Sequence, residues 1–145
     1  MIDGWMSEEE LGYLAERAKE VGSICEVGCY KGRSTYELLS NCKGKVTVVD
    51  NFSMCTKEEF LGNCGHFANI ELIEGNSQDV AEKVGDFDMV FIDADHSYEG
   101  VKKDIKSWGP KCHLLCGHDY DLNDVKRAVD EAGGKQVAGS IWSLS

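Results

Sequence analysis

Short apolar runs recur along the chain at 24–28 (ICEVG), 45–50 (KVTVVD), 69–73 (NIELI), 88–93 (DMVFID) and 112–116 (CHLLC). Between them lie stretches of helical character at 33–41, 56–63, 77–84, 98–107 and 121–132. This alternation constrains the fold more than any single motif. Strands that read as continuous apolar runs are buried on both faces, and strands separated by helices pair in parallel through right-handed crossovers. The expected fold is α/β: a doubly wound, mostly parallel, Rossmann-like sheet with helices on both faces. Ahead of the first strand, Leu11, Leu14, Ala15, Ala18 and Val21 stand at helical spacing within residues 7–21. Ser7 with Glu10 forms a capping box, and Gly22 is the stop. The tail KQVAGSIWSLS is too short for another crossover unit, so it predicts an antiparallel hairpin folded at Gly139–Ser140 on the sheet edge. A chain of 145 residues without internal repeats is expected to form one domain over 1–145, with an N-terminal helix over 1–22 and an α/β core over 23–145.

Charge and cysteine usage narrow the partners. The formal net charge is −11, with no run of Lys or Arg, which argues against a nucleic-acid partner. No apolar run reaches membrane-spanning length, and MIDGWMSEEE has neither the basic nor the apolar region of a secretory signal. Seven cysteines, an odd number, then read as free thiols of a reduced, cytoplasmic protein. Cys25, Cys29, Cys112 and Cys116 fall in apolar stretches, where free Cys packs as a small hydrophobe. The competing reading is a zinc site from Cys112, Cys116 and His118, which would share one face of a strand but stand in a row rather than a tetrahedron.

In a sheet of this kind ligands bind outside the C-terminal strand ends. Those ends carry Glu26-Val27-Gly28, Asp50-Asn51, Gly75-Asn76-Ser77-Gln78, Asp93-Ala94-Asp95-His96 and Gly117-His118-Asp119-Tyr120, so nearly every polar residue of interest falls on one rim. The first turn, Gly28-x-x-x-Gly32, has Tyr30 where a dinucleotide fingerprint needs its middle glycine. Glu26 beside a pyrophosphate would be repulsive. Both residues point away from NAD and toward a cationic nucleoside without phosphate, such as S-adenosylmethionine. Asp50, 22 residues after Gly28, suits two ribose hydroxyls. Ser77 is a candidate N-cap, and with Gln78 it could read an adenine edge. Asp93, facing His118 and Asp119, supplies oxygen ligands for a hard cation such as Mg²⁺, with His96 as a candidate general base. The competing reading makes Asp93 or Asp95 the cap of the helix at 98.

Taken together, these motifs resemble the class I S-adenosylmethionine-dependent methyltransferases. ICEVGCYKGRST, GNSQD, FDMVFIDADHSYEGVKKD and GHDY-LNDVKRAVDE are similar, in that order, to segments of small O-methyltransferases of the catechol and caffeoyl-CoA type and of the antibiotic- and sugar-tailoring group. The resemblance spans about residue 22 to the end. It implies a methyl transfer from S-adenosylmethionine to a small-molecule acceptor, with oxygen expected and nitrogen open. Gly28, Tyr30 and Gly32 would shape the cofactor turn, and Glu26 and Ser34 would hold the methionine end. Asp50, with Asn51 beside it, would bind ribose, and Ser77 and Gln78 would contact adenine. Asp93 and Asp119, with His118 filling in, would ligate a divalent cation. His96 stands where catechol-type enzymes place a lysine base, and Tyr120 where they place asparagine. Few residues precede the first strand, so the acceptor pocket is expected to be open or completed by a second subunit, and an exposed hairpin edge near Trp142 suggests a homodimer. A non-catalytic cofactor-binding module and an NAD-dependent oxidoreductase are the alternatives.

Overall fold

The computed structural model describes residues 1–144. Helix α1 (Glu8–Glu20) leads into β1 (Ser23–Val27), α2 (Arg33–Asn41), β2 (Lys45–Asp50), α3 (Lys57–Cys64) and β3 (Ile70–Glu74). There follow α4 (Ser77–Ala81), β4 (Phe87–Ile92), α5 (Tyr98–Trp108), a single 3₁₀ turn, β5 (Cys112–Gly117), α6 (Asn123–Glu131), β6 (Lys135–Ala138) and β7 (Ile141–Leu144). The seven strands form one sheet in the order β3-β2-β1-β4-β5-β7-β6. The first five pair in parallel, whereas β7 is antiparallel to both β5 and β6. The hairpin turns at Gly139, at φ +53°, and its last strand lies inside, with β6 as the outer edge.

Side-chain alternation on the buried strands divides the core into two layers. Ile24, Val46, Val48, Met89 and Phe91 face Leu14, Leu38 and Phe60 of α1, α2 and α3. Cys25, Val27, Val49, Val90 and Ile92 face Val80, Val101, Trp108 and Val129 of α4, α5 and α6. The Ser7–Glu10 capping box is present in both directions.

Several expectations are corrected. Asn76, not Ser77, caps α4: its Oδ1 accepts from the Gln78 and Asp79 backbone N–H groups. That helix ends at Ala81 because the chain must turn back into β4. Val84 packs on the core, and its carbonyl accepts from Lys111 Nζ at 2.7 Å. Ser97, rather than Asp93 or Asp95, caps α5. All seven cysteines are free. Cys112 packs with the Trp108 layer and Cys116 with the opposite one, so no zinc set forms with His118. Trp142 is buried, its ring packed where a Cβ on Gly117 would lie at 2.2 Å, so it offers no surface to a second subunit. No described helix is long and apolar enough to cross a membrane.

Candidate active site

The parallel strands end together at a cleft of about 590 Å³, within the range of small-molecule sites. All the residues singled out from sequence reach its wall except Glu26 and Gly32. Glu26 misses it because alternation on β1 puts Ile24 and Glu26 on the face that α2 covers. Its carboxyl is fully buried and accepts from the Ser34 and Thr35 hydroxyls. Burial pushes it up to about 8, even against those two donors. Gly32, at φ +99°, begins α2 facing away from the cleft, against Cys64 and Phe60.

Gly28 is required twice over. Its φ is +89°, and a Cβ there would meet the Asp93 carbonyl oxygen at 2.3 Å. Three non-glycine residues also hold positive φ: Tyr30 (47°), Phe52 (58°) and Asp119 (67°). Each follows a strand at this rim, and strained backbone concentrates at functional sites. Asp50 ties two of these turns together. Its Oδ2 accepts from Cys29 N at 2.7 Å and its Oδ1 from Phe52 N at 2.7 Å.

Ser77 and Gln78 line the cleft with their side chains already engaged. Ser77 Oγ donates to Asp104 Oδ1 at 2.5 Å, and Gln78 Nε2 donates to the same oxygen at 2.6 Å. Sequence reading missed Asp104. Its signal was available: Val101, Asp104 and Trp108 share one buried stripe of α5, where an acid is out of place.

At the other end of the cleft stand Asp93, His96 and Asp119, whose candidate ligand atoms all lie within 4.8 Å of one another. His96 Nε2 is 2.8 Å from Asp119 Oδ2 and 3.8 Å from Asp93 Oδ1. Asp119 chiefly, then Asp93, holds His96 protonated by pushing its pKa up to about 10. His118 is turned into the protein instead. Its Nε2 pairs with Glu10 Oε2 at 3.0 Å, and its Nδ1 faces Asp119 Oδ1 at 3.2 Å. Burial works against the charge on His118, but the bonds to Asp119 and Asp93 override it and carry the pKa to about 11. The same two histidines hold the Asp119 carboxyl well below the usual range despite its burial. Glu10, legible in sequence only as a capping residue, is thus the anchor of a buried Glu10–His118–Asp119 chain.

At the mouth, Trp5 and Met54 are 74% and 75% exposed, and Trp5 stacks on Tyr30 with ring centroids 4.9 Å apart. The segment carrying Trp5 is pinned by Arg33, which donates to the Ile2 and Met6 carbonyl oxygens. Apart from that engaged arginine, the charged side chains around the cleft are five aspartates, Asp50, Asp93, Asp95, Asp104 and Asp119, and the two histidines.

Comparison with solved structures returns the same architecture. Cofactor-bound Rv0187 from MTB matches with a TM-score of 0.78 at 20% identity, over 97% of this chain and 81% of that one. The O-methyltransferase TomG from Streptomyces achromogenes, in complex with SAM, matches with a TM-score of 0.73 at 17% identity, over 97% and 81%. The O-methyltransferase from Bacillus cereus, in complex with SAH, matches with a TM-score of 0.73 at 15% identity, over 96% and 81%. No curated protein sequence matches the chain. A family profile described as "Methyltransferase domain" matches residues 25–120. With its sheet order and strand-end cleft, the chain belongs to this methyltransferase domain family and has the class I S-adenosylmethionine-dependent methyltransferase fold.

Proposed function

We propose that this protein methylates a hydroxyl oxygen of a small-molecule acceptor, with S-adenosylmethionine as donor and a divalent cation at Asp93 and Asp119. The observation that carries the reading is the charge of the cleft. Among the described residues five aspartates and no free arginine or lysine line it, which suits a donor bearing a sulfonium and an amine and opposes a pyrophosphate. Asp50, with two backbone N–H bonds fixing its carboxylate, presents the remaining lone pairs to ribose hydroxyls. Ser34 and the Gly28–Tyr30 turn line the methionine end.

S-adenosylmethionine supplies an electrophilic methyl group, and its transfer depends chiefly on aligning that carbon with the acceptor oxygen. The cation, when bound, supplies positive charge that offsets the two carboxylates and favours ionisation of an acceptor hydroxyl. Asp93 and Asp119 have the hard oxygen donors such an ion takes. With a cation offsetting Asp93 and Asp119, His96 would give up to solvent the proton those carboxylates hold, and its freed Nε2 would then accept the proton of the acceptor hydroxyl. His118, paired with Glu10, keeps Asp119 oriented. Trp5, Tyr30 and Met54 give the acceptor's body an apolar lip.

Turnover of methyl-labelled S-adenosylmethionine against a panel of hydroxylated small molecules, with and without Mg²⁺, tests the reading. Label transferred to oxygen only with cation present is expected. Calorimetric binding of NAD with no response to S-adenosylhomocysteine would overturn it.

A further inference from the structure

Asp95 and Asp104 are the charged groups of the cleft that the chemistry above leaves without a task; Asp95 is exposed and already accepts from Ser97 N at 2.8 Å, which leaves Asp104. It is 1% exposed, yet it belongs to the cleft wall beside Ser77 and Gln78. Its Oδ1 takes both local donors, Ser77 Oγ at 2.5 Å and Gln78 Nε2 at 2.6 Å. Trp108 Nε1 donates to Ser77 Oγ at 2.9 Å, which commits the serine proton to Asp104. The other oxygen, Oδ2, is buried with no hydrogen-bond partner among the described residues. Buried polar atoms are almost always paired, and an unpaired carboxylate oxygen carries a large desolvation cost. Burial accordingly raises the Asp104 pKa, against the pull of Ser77 and Gln78. What the site lacks is a donor.

A nucleoside whose ribose is held at Asp50 has its base left to meet this part of the cleft. Ser77 Oγ and one Gln78 N–H are engaged with Oδ1, so the acceptors left for an amine are Gln78 Oε1 and the orphaned Oδ2, and of the two only Oδ2 is buried without a partner among the described residues. We propose that Asp104 Oδ2 accepts the exocyclic amine of the donor's adenine, and that Asp104 thereby selects adenine over purines lacking that amine. The proposal rests on the S-adenosylmethionine reading of the cleft. Because Oδ2 is closed to water, the base enters with a shift of Gln78, the long and flexible neighbour on the same carboxylate.

Isothermal titration of the full chain with S-adenosylhomocysteine and with S-inosylhomocysteine, in which oxygen replaces the amine, tests it without relying on turnover. Hydrogen bonds to a charged partner give about tenfold to hundredfold discrimination, so wild type is expected to favour the adenosyl ligand by at least about tenfold. Asp104→Asn keeps one oxygen for Ser77 and Gln78 and puts an N–H₂ group where Oδ2 was. That group repels the amine and donates to the inosyl oxygen, so the preference should collapse or reverse. Gln78→Ala should keep the preference, whatever it loses in affinity. Equal wild-type affinity for the two ligands overturns the proposal and leaves the donor reading standing. So does a preference that survives Asp104→Asn, or one that Gln78→Ala abolishes. Binding of neither ligand by wild type overturns the donor reading and this proposal together.

Discussion

Glu26 has no access to water, and burial raises its carboxyl to about 8 although Ser34 and Thr35 both donate to it. At neutral pH it is therefore largely protonated in the folded chain and ionised in the unfolded one. A carboxyl raised on folding contributes stability that is fully present below its ordinary value of 4.5 and is lost as pH climbs to about 8. Glu26→Gln, neutral at every pH, should match wild type near pH 4.5 and become progressively more stable relative to it up to pH 8. Denaturant unfolding across that range checks this, and a gap independent of pH would mean that Glu26 is ionised in the fold. His96 differs in being half-exposed, paired with Asp119 at 2.8 Å and 3.8 Å from Asp93, at the end of the cleft proposed to meet the acceptor. His96→Ala should lower kcat about 10²–10⁴-fold, the usual share of a positioned base, while S-adenosylhomocysteine binding measured by calorimetry stays near wild type. Full activity on the true acceptor would remove His96 from proton transfer.

Helix α1 is joined to the far end of the chain through one side chain. Glu10 Oε1 accepts from Ser7 N at 2.8 Å to close the capping box. Its Oε2 accepts from Ser140 N and Oγ, each at 2.7 Å, and pairs with His118 at 3.0 Å. Removing one partner of a buried ion pair strands the other, so Glu10→Ala should cost about 3–5 kcal/mol. The pH window follows from the shift on Glu10 itself. Burial would raise Glu10, but bonds from Ser7 and Ser140 and the charge on His118 lower it to about 2, so its contribution is full above 4.5 and lost as pH falls toward 2. His118 contributes fully below 6.5, and that contribution is lost as pH rises toward about 11. That His118 contribution comes from Asp119 and Asp93, which Glu10→Ala keeps, so in thermal melts wild type should lead Glu10→Ala by a steady margin above pH 4.5 that shrinks as pH falls toward 2. The capping role was legible because S-x-x-E before an apolar stripe is a local pattern. The His118 pairing was not, since it joins residues 108 apart and depends on where the sheet sets β5 beside the hairpin. The strands themselves were legible from burial on both faces. That β7 would slip between β5 and β6 was not, because the tail's pattern specifies a hairpin without saying which strand takes the free edge of β5. The burial of Glu26 could have been read: Ile24 and Glu26 alternate onto one face, and that face is buried.

The cleft belongs to the topology as a whole, since parallel strands with right-handed crossovers deliver their C-terminal ends to one rim. That is why a list of strand-end residues covered much of the cleft wall, while Asp104, Trp5 and Met54, which arrive from a helix and two loops, were left out. It also makes donor binding a test of the whole arrangement. A ligand that binds only the folded chain stabilises it by about 2.7 kcal/mol at one hundred times its Kd. For a domain near this size each kcal/mol is worth about 2–4 °C, so saturating S-adenosylhomocysteine should raise Tm by about 5–10 °C. Asp50→Ala removes the carboxylate proposed to hold the ribose and also frees the Cys29 and Phe52 amides, so the variant should melt lower even without ligand. The informative quantity is therefore the ligand-induced increment, measured for each protein against its own unliganded Tm. That increment should fall from several degrees in wild type to near zero in Asp50→Ala. It should be retained in Trp5→Ala, whose side chain lies at the exposed mouth and is assigned to the acceptor. If Asp50→Ala kept the full increment, the ribose would have to be held elsewhere, and the direction in which the donor lies along the cleft would have to be reversed.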